Sequence, residues 1–473
     1  MRTALSSTRL PPLLLPGAIT GYLLLGLGNN SGLALAAMAV LVVGCALLWR
    51  PGEPPILLYI FGFQWLQAAI GIFHANLKGL TINELALQEN APGHTDLATM
   101  LCLIGLVLLA VGMRIGAGPQ RLFDIRLASS VVARRPLLVW FKLLAVAWLI
   151  ATLAQHLAPL LPGLSQPLLA LANLQWAFFF IATYATFSRA DASKTLWLIA
   201  FALELAGSLG GYFSSFRSVF LFTLIAILAA GVRLRPAQLL AVGAVFAVMV
   251  MLGVVWTAVK VEYRPYLSGG ENTQTVTVGY LDRLEKMAQI ASNLTGSDLS
   301  DAADRMIARI AYTNFFGSAL DYVPQITPHE NGALWLDAIV RPFMPRIFFP
   351  EKEAIDESAL MNRYTGLGMA GIEQGTQITL GYMGESYVDF GEFGMMVPIF
   401  LFGLFLGGAY RWVTNHKNSR GVLGMGLAAA ILMTADSLGA STAKLVGALV
   451  VQLLIAWLFL RLVVPRYLIW LRA

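Results

Sequence analysis

Residues 97–113 read LATMLCLIGLVLLAVGM, a run with no charged side chain, and Arg114 closes it. A continuous apolar stretch of this length, wound as a helix, crosses a hydrocarbon layer about 30 Å thick while satisfying its own backbone. It lacks the alternation of a membrane β-strand, which rules out an outer-membrane barrel. Similar runs lie on both sides, at 11–28, 32–49, 54–73, 137–157, 167–187, 195–212, 217–232, 237–258, 391–410, 421–437 and 445–463. Hydrophobic residues make up 58% of the chain and charged residues 12%, with a mean hydropathy of +0.70. That excludes a soluble globular protein. The expected fold class is an all-α polytopic membrane protein with about twelve transmembrane helices and one large extracytoplasmic loop containing amphipathic helices.

The net charge of +6 has its ordinary cause in basic residues kept in cytoplasmic loops, so no nucleic-acid partner is expected. Arg2 and Arg9 precede the first run and Arg50 follows the second. Arg114, Arg121, Arg126, Arg134 and Arg135 follow the fourth, Arg189 and Lys194 the sixth, and Arg233 and Arg235 the eighth. Arg411, Lys417 and Arg420 follow the tenth, and Arg461, Arg466 and Arg472 end the chain. All these clusters fall on one side of the alternation. The chain therefore reads as having both termini cytoplasmic, with an uncleaved first helix because no Ala-x-Ala site follows it. Cys45 and Cys102 lie within apolar runs and read as small packing residues.

Three regions follow: helices over 1–258, a large extracytoplasmic (in a bacterium, periplasmic) loop over 259–390, and helices over 391–473. A transporter built from two equal halves would not divide its spans nine to three around an outer loop. Within the loop, Leu281–Ala291 and Asp301–Leu320 have helical spacing, with Met306, Ile307, Ile310 and Ala311 facing away from Arg305 and Arg309. Trp335–Ile339, Phe343 and Ile347–Phe349 form an apolar cluster broken by Pro342, Pro345 and Pro350. These pieces read as amphipathic helices on or in the outer leaflet. The glycine-rich run Gly366–Gly384 leads back to the membrane.

Arg217, in Ser-Ser-Phe-Arg-Ser (214–218), breaks the positive-inside pattern at the outer end of its span. A guanidinium there suits a phosphate or diphosphate held by two hydrogen bonds; the plainer account is an arginine snorkelling to the headgroups. Arg341 and Arg346 flank Pro-Phe-Met-Pro and read as an anion clamp or as two solvated arginines. Arg264 and Arg309 are weaker candidates of the same kind, and Lys260 reads as an anchor. Glu385 and Asp389 share a helix face at the point of re-entry. Glu385 is the candidate general base toward a sugar hydroxyl, against a role in helix capping. Glu204 and Asp436 are intramembrane carboxylates, either of which is a candidate partner for Arg217. Tyr312 and Tyr387 belong to a set of loop aromatics suited to stacking on sugars, or to lying at a membrane interface. His329 reads as a surface residue. His74 and His94 lack metal-ligand spacing, so neither a metal nor a cofactor is expected.

Ser-Ser-Phe-Arg-Ser opening a middle span, the large outer loop, Pro-Arg-Ile-Phe-Phe-Pro-Glu-Lys (345–352) and Gly-Glu-Ser-Tyr-Val-Asp-Phe-Gly-Glu-Phe-Gly (384–394) together resemble the Wzy class of O-antigen and exopolysaccharide repeat-unit polymerases. The histidine-centred motif of the related O-antigen ligases is not evident. The resemblance implies a metal-independent GT-C-type glycosyltransferase at the outer face of a bacterial inner membrane. It implies undecaprenyl-diphosphate-linked oligosaccharides as substrates and a chain-length regulator as a partner, alongside membrane lipid. Arg217 and Arg341, with Glu385, would then be catalytic, and Arg346, Arg264, Arg309, Tyr312, Asp389 and Tyr387 would bind substrate. An O-antigen ligase and a lipid-linked glycan flippase remain as alternatives.

Overall fold

A computed structural model describes residues 14–50, 52–119, 130–189, 191–209, 215–231, 236–269, 276–371, 376–419 and 421–468. Arg2, Arg9, Arg121, Arg126, Arg233, Arg235, Arg420 and Arg472, and residues 210–214 ahead of Arg217, lie outside the described residues. In chain order the helices are α1 (Leu14–Gly26), α2 (Ser31–Leu48), α3 (Ile56–Leu77), α4 (Ile82–Gln88), α5 (Thr95–Ala117) and α6 (Leu137–Leu160). Then come α7 (Pro162–Phe187), α8 (Thr195–Leu209), α9 (Phe216–Ala229) and α10 (Pro236–Leu267). The long loop contains α11 (Tyr280–Ser292), α12 (Gly296–Ile310), α13 (Thr313–Tyr322), α14 (Ala333–Val340), α15 (Glu357–Thr365) and α16 (Tyr382–Gly394). The chain closes with α17 (Met396–Asn415), α18 (Val422–Ala435) and α19 (Thr442–Tyr467).

All elements among the described residues are helical. Among the described residues, eight helices are long and apolar enough to cross a membrane: α2, α3, α5, α6, α7, α10 through Gly243–Leu267, α17 and α19. Four shorter apolar helices, α1, α8, α9 and α18, fall where the sequence places its remaining spans.

The tightest pairing joins α5 to α17. A Cβ at Gly403 or Gly407 would run into the carbonyl oxygens of Leu109 and Met113, and one at Gly112 or Gly116 into those of Phe400 and Leu404. Two glycines four residues apart on each helix thus let the backbones touch, the small-residue packing that favours helix association in lipid. The Gly403–Gly407 pair packs within the chain.

Loop contacts sort to two ends. Arg50 donates to Gly118 O at 3.1 Å, and Arg189 donates to Arg135 O at 2.6 Å, joining basic connections to one another. At the other end Asn29 reaches Gly79 O at 2.8 Å, and Asp304 of α12 meets His74 at 3.1 Å and Lys78 at 2.9 Å.

The long loop enters the bundle. Eight residues after Asp304, Tyr312 N donates to Gln67 O at 3.1 Å. The chain then turns back, and Ser318 donates to Pro92 O at 2.6 Å. The single helix expected over 301–320 is therefore two, because Ala311 is extended and forms, with buried Tyr312, an inserted tip. A second tip lies at Gly381–Tyr382. From there α16 runs to Gly391, whose φ of +70° is left-handed backbone that favours glycine. Gly391 is the corner after which the chain runs on into α17, at the position where the sequence places the start of that span.

Candidate functional site

The site is assembled on one face of α3. Between α18 and α19 the chain crosses without helix, and two buried glutamines of α3 satisfy that backbone. Gln64 donates to Ala435 O at 2.7 Å and Gln67 to Asp436 O at 2.8 Å; Leu438 N donates to Gln67 at 3.1 Å. Tyr382 N donates to Ala440 O at 2.9 Å, and its hydroxyl to Gln64 at 2.9 Å. Three chain reversals, at 311–312, 381–382 and 436–440, thus meet beside Gln64 and Gln67. Non-helical backbone inside an apolar bundle persists where side chains occupy its freed polar groups.

This junction fixes Asp436. One carboxylate oxygen accepts the Tyr59 hydroxyl at 2.5 Å and pairs with Arg217 Nη2 at 3.0 Å. The guanidinium also lies over the Phe63 ring, 4.4 Å from its centroid. Arg217 is held on one edge while its side chain stays 44% exposed. It faces a cavity of about 460 Å³ that Lys260, Arg264 and Arg309 also line, with Trp256 and Met306 supplying apolar wall. No carboxylate lines this cavity among the described residues. Phe63 lies seven residues into the 22-residue α3, so at 1.5 Å per residue Arg217 rests about 10 Å from one end and about 21 Å from the other. It stands in the first turn of α9, and that turn is recessed along α3 rather than level with either of its ends.

Of the residues singled out from the sequence, Arg217, Arg264 and Arg309 share this cavity. Lys260, read as an anchor, joins them, and Asp436 rather than Glu204 is the partner of Arg217. Gln64, Gln67 and Tyr59 were missed. A signal for them existed in two glutamines on one face of an otherwise apolar span.

Arg341 is elsewhere. It lines a separate cavity of about 450 Å³ between α7 and α19, with Lys352 and Lys444. Its Nε pairs with Asp337 at 2.7 Å and its Nη1 donates to Glu353 O at 3.0 Å, which ties down the proline-rich turn. Arg346 is exposed, beyond that turn, near Phe343 and Phe348, which are 70% and 76% exposed. The two arginines do not form one clamp on the Arg217 cavity.

Four more of the residues singled out from the sequence line neither cavity. Glu385 is 7% exposed and accepts Thr442 N at 2.8 Å, binding the start of α19; it lines neither cavity. Burial pushes its carboxyl up to about 7, against the hydrogen bonds from Thr442. Asp389 accepts Leu334 N at 3.1 Å and Trp335 N at 2.9 Å, capping α14. The buried Tyr312 hydroxyl accepts Gly384 N at 2.8 Å, and the buried Tyr387 hydroxyl donates to Val323 O at 2.6 Å. All four hold elements together, and neither tyrosine presents a face to a sugar. His329 is half-buried against Tyr387 rather than on the surface.

Residues 127–415 match the domain of unknown function DUF8712. The chain belongs to the DUF8712 family. The matched stretch runs from ahead of α6 to the last residue of α17, so it contains all four cations of the cavity. Asp436 and the α3 glutamines lie outside the DUF8712 stretch. No curated protein and no solved structure matches the chain.

Proposed function

We propose that this chain joins oligosaccharide repeat units carried on undecaprenyl diphosphate into O-antigen or exopolysaccharide, as a metal-independent GT-C-type polymerase. The observation that carries this reading is the cavity where Arg217, Lys260, Arg264 and Arg309 converge with no carboxylate among its lining residues. A diphosphate is the anion that four cations suit, and the apolar walls from Trp256, Met306 and Ile310 suit the polyprenyl chain behind it. When the anomeric carbon–oxygen bond breaks, the departing diphosphate takes the electron pair. Preorganised guanidinium groups stabilise the charge that grows there. The attacking sugar hydroxyl forms the new glycosidic bond, and its proton can leave on a phosphate oxygen.

The eight long apolar helices and the four shorter ones together support twelve crossings. The gathering of Arg50, Arg114, Arg189 and Arg411 toward one end supports cytoplasmic termini and a periplasmic long loop. The test is the glycan profile of cells lacking the protein. Lipid-linked glycan stalled at one repeat unit is the expected result. Full-length glycan stranded on its carrier would instead mean a ligase, and repeat units trapped inside the cell a flippase.

A further inference from the structure

Where α2 gives way to α3, a second kind of cavity, about 190 Å³, opens among Leu48, Trp49, Arg50, Glu53, Leu228 and Tyr410. That is room for about six waters. None of these residues lines the Arg217 cavity. Arg50 is only 8% exposed. Its Nη2 donates to Gly118 O at 3.1 Å, and its Nε lies 3.0 Å from Glu53, whose carboxylate also accepts the Tyr410 hydroxyl at 3.0 Å. The Nε contact is an ion pair without hydrogen-bond geometry, and Arg50 Nη1 has no acceptor. Arg114 acts on the same Glu53 as a second cation, and its Nη1 is also buried without an acceptor. Arg411 is close too, its Nη1 lying 3.1 Å from where a Cβ on Gly118 would stand.

Two guanidinium groups, Arg50 and Arg114, therefore act on the single carboxylate of Glu53, and both keep buried N–H groups unanswered. Leaving such donors without acceptors is costly, and each instance calls for an occupant. Glu53 offsets one of these charges, and Arg114 behind it leaves the surroundings net positive, which favours an anion over water. The wall is mostly leucine, tryptophan and proline, and Leu228 is 41% exposed on its outer side. Such a wall suits an anion that arrives with hydrocarbon attached. We propose that this cavity binds a phosphate ester, supplied by an anionic phospholipid headgroup or as free phosphate, and that Arg50 is its principal ligand. The site is independent of the polymerase reading.

The test uses the purified full chain in phosphatidylcholine nanodiscs with and without phosphatidylglycerol, and in detergent with inorganic phosphate. Thermal unfolding is followed for wild type, Arg50→Gln and Leu228→Trp. The second variant narrows the cavity and leaves every charge in place, so it carries the comparison if Arg50→Gln does not fold. Protection of the wild type by phosphatidylglycerol is expected, with apparent affinity reduced about tenfold or more in Arg50→Gln and protection reduced in Leu228→Trp. Protection by inorganic phosphate with the same variant pattern supports the site and identifies free phosphate as the source. No protection of the wild type by either probe, or equal protection of all three proteins, overturns the proposal.

Discussion

Asp436 holds Arg217 through an oxygen that also accepts the Tyr59 hydroxyl, so the arginine's direction depends on a carboxylate far away in sequence. Asp436→Asn keeps the size and loses the charge. It should reduce polymer formation about tenfold to a hundredfold, the worth of one charge-assisted hydrogen bond, at unchanged protein level. Arg217→Lys should restore little, since an ammonium cannot grip a phosphate with two parallel donors. Glu385 makes a different prediction. Its carboxyl keeps its proton in the folded state up to about 7 instead of 4.5, so the folded chain binds that proton more tightly than the unfolded chain does. Stability should then fall as pH rises from about 4.5 through about 7, by about 3 kcal/mol in all. Glu385→Gln keeps an acceptor for Thr442 N and removes this slope. Melting curves of the two proteins at pH 5 and pH 8 should diverge, and parallel curves would refute the assignment. At this scale the sequence was a partial guide. Arg217 was legible because it broke the charge pattern, although the sequence also allowed an arginine that merely snorkels to the headgroups. The roles of Glu385, Asp389, Tyr312 and Tyr387 were not, because capping and catalysis use the same residue types and only burial and partners separate them.

Helix pairs depend on backbone contact as much as on side chains. Gly403→Leu should push α17 from α5, since even a Cβ there meets Leu109 O; overpacking of this kind costs about 1–3 kcal/mol, read as a lower melting temperature in detergent. Gly391→Ala places a side chain at φ +70° and should cost about 1 kcal/mol or more. Unchanged melting in either variant would mean that the corner or the pair relaxes freely. Most apolar helices were legible from length and composition, and their ranges shift by a few residues. Breaks inside the loop were harder. The apolar face of 301–310 continues in the sequence past residue 311, but Gln67 captures the backbone of Tyr312 and turns the chain.

For the whole molecule, hydropathy and charge alternation carried the fold class, because a bilayer leaves a chain of this composition few arrangements. They did not carry the insertion of the long loop. An amphipathic helix on a leaflet and one packed into a bundle present the same spacing, and only contacts such as His74 to Asp304 and Gln67 to Tyr312 distinguish them. That insertion brings Arg309 from the loop to Arg217, Lys260 and Arg264 and makes a single cationic cavity from α9, α10 and α12. The most direct test supplies purified protein with a lipid-diphosphate-linked repeat unit and resolves the products by size, for wild type and for folded Arg217→Ala. The account predicts a ladder of lengthening glycans from wild type and none from the variant. An equal ladder from both, or no lengthening by the wild type, would contradict it.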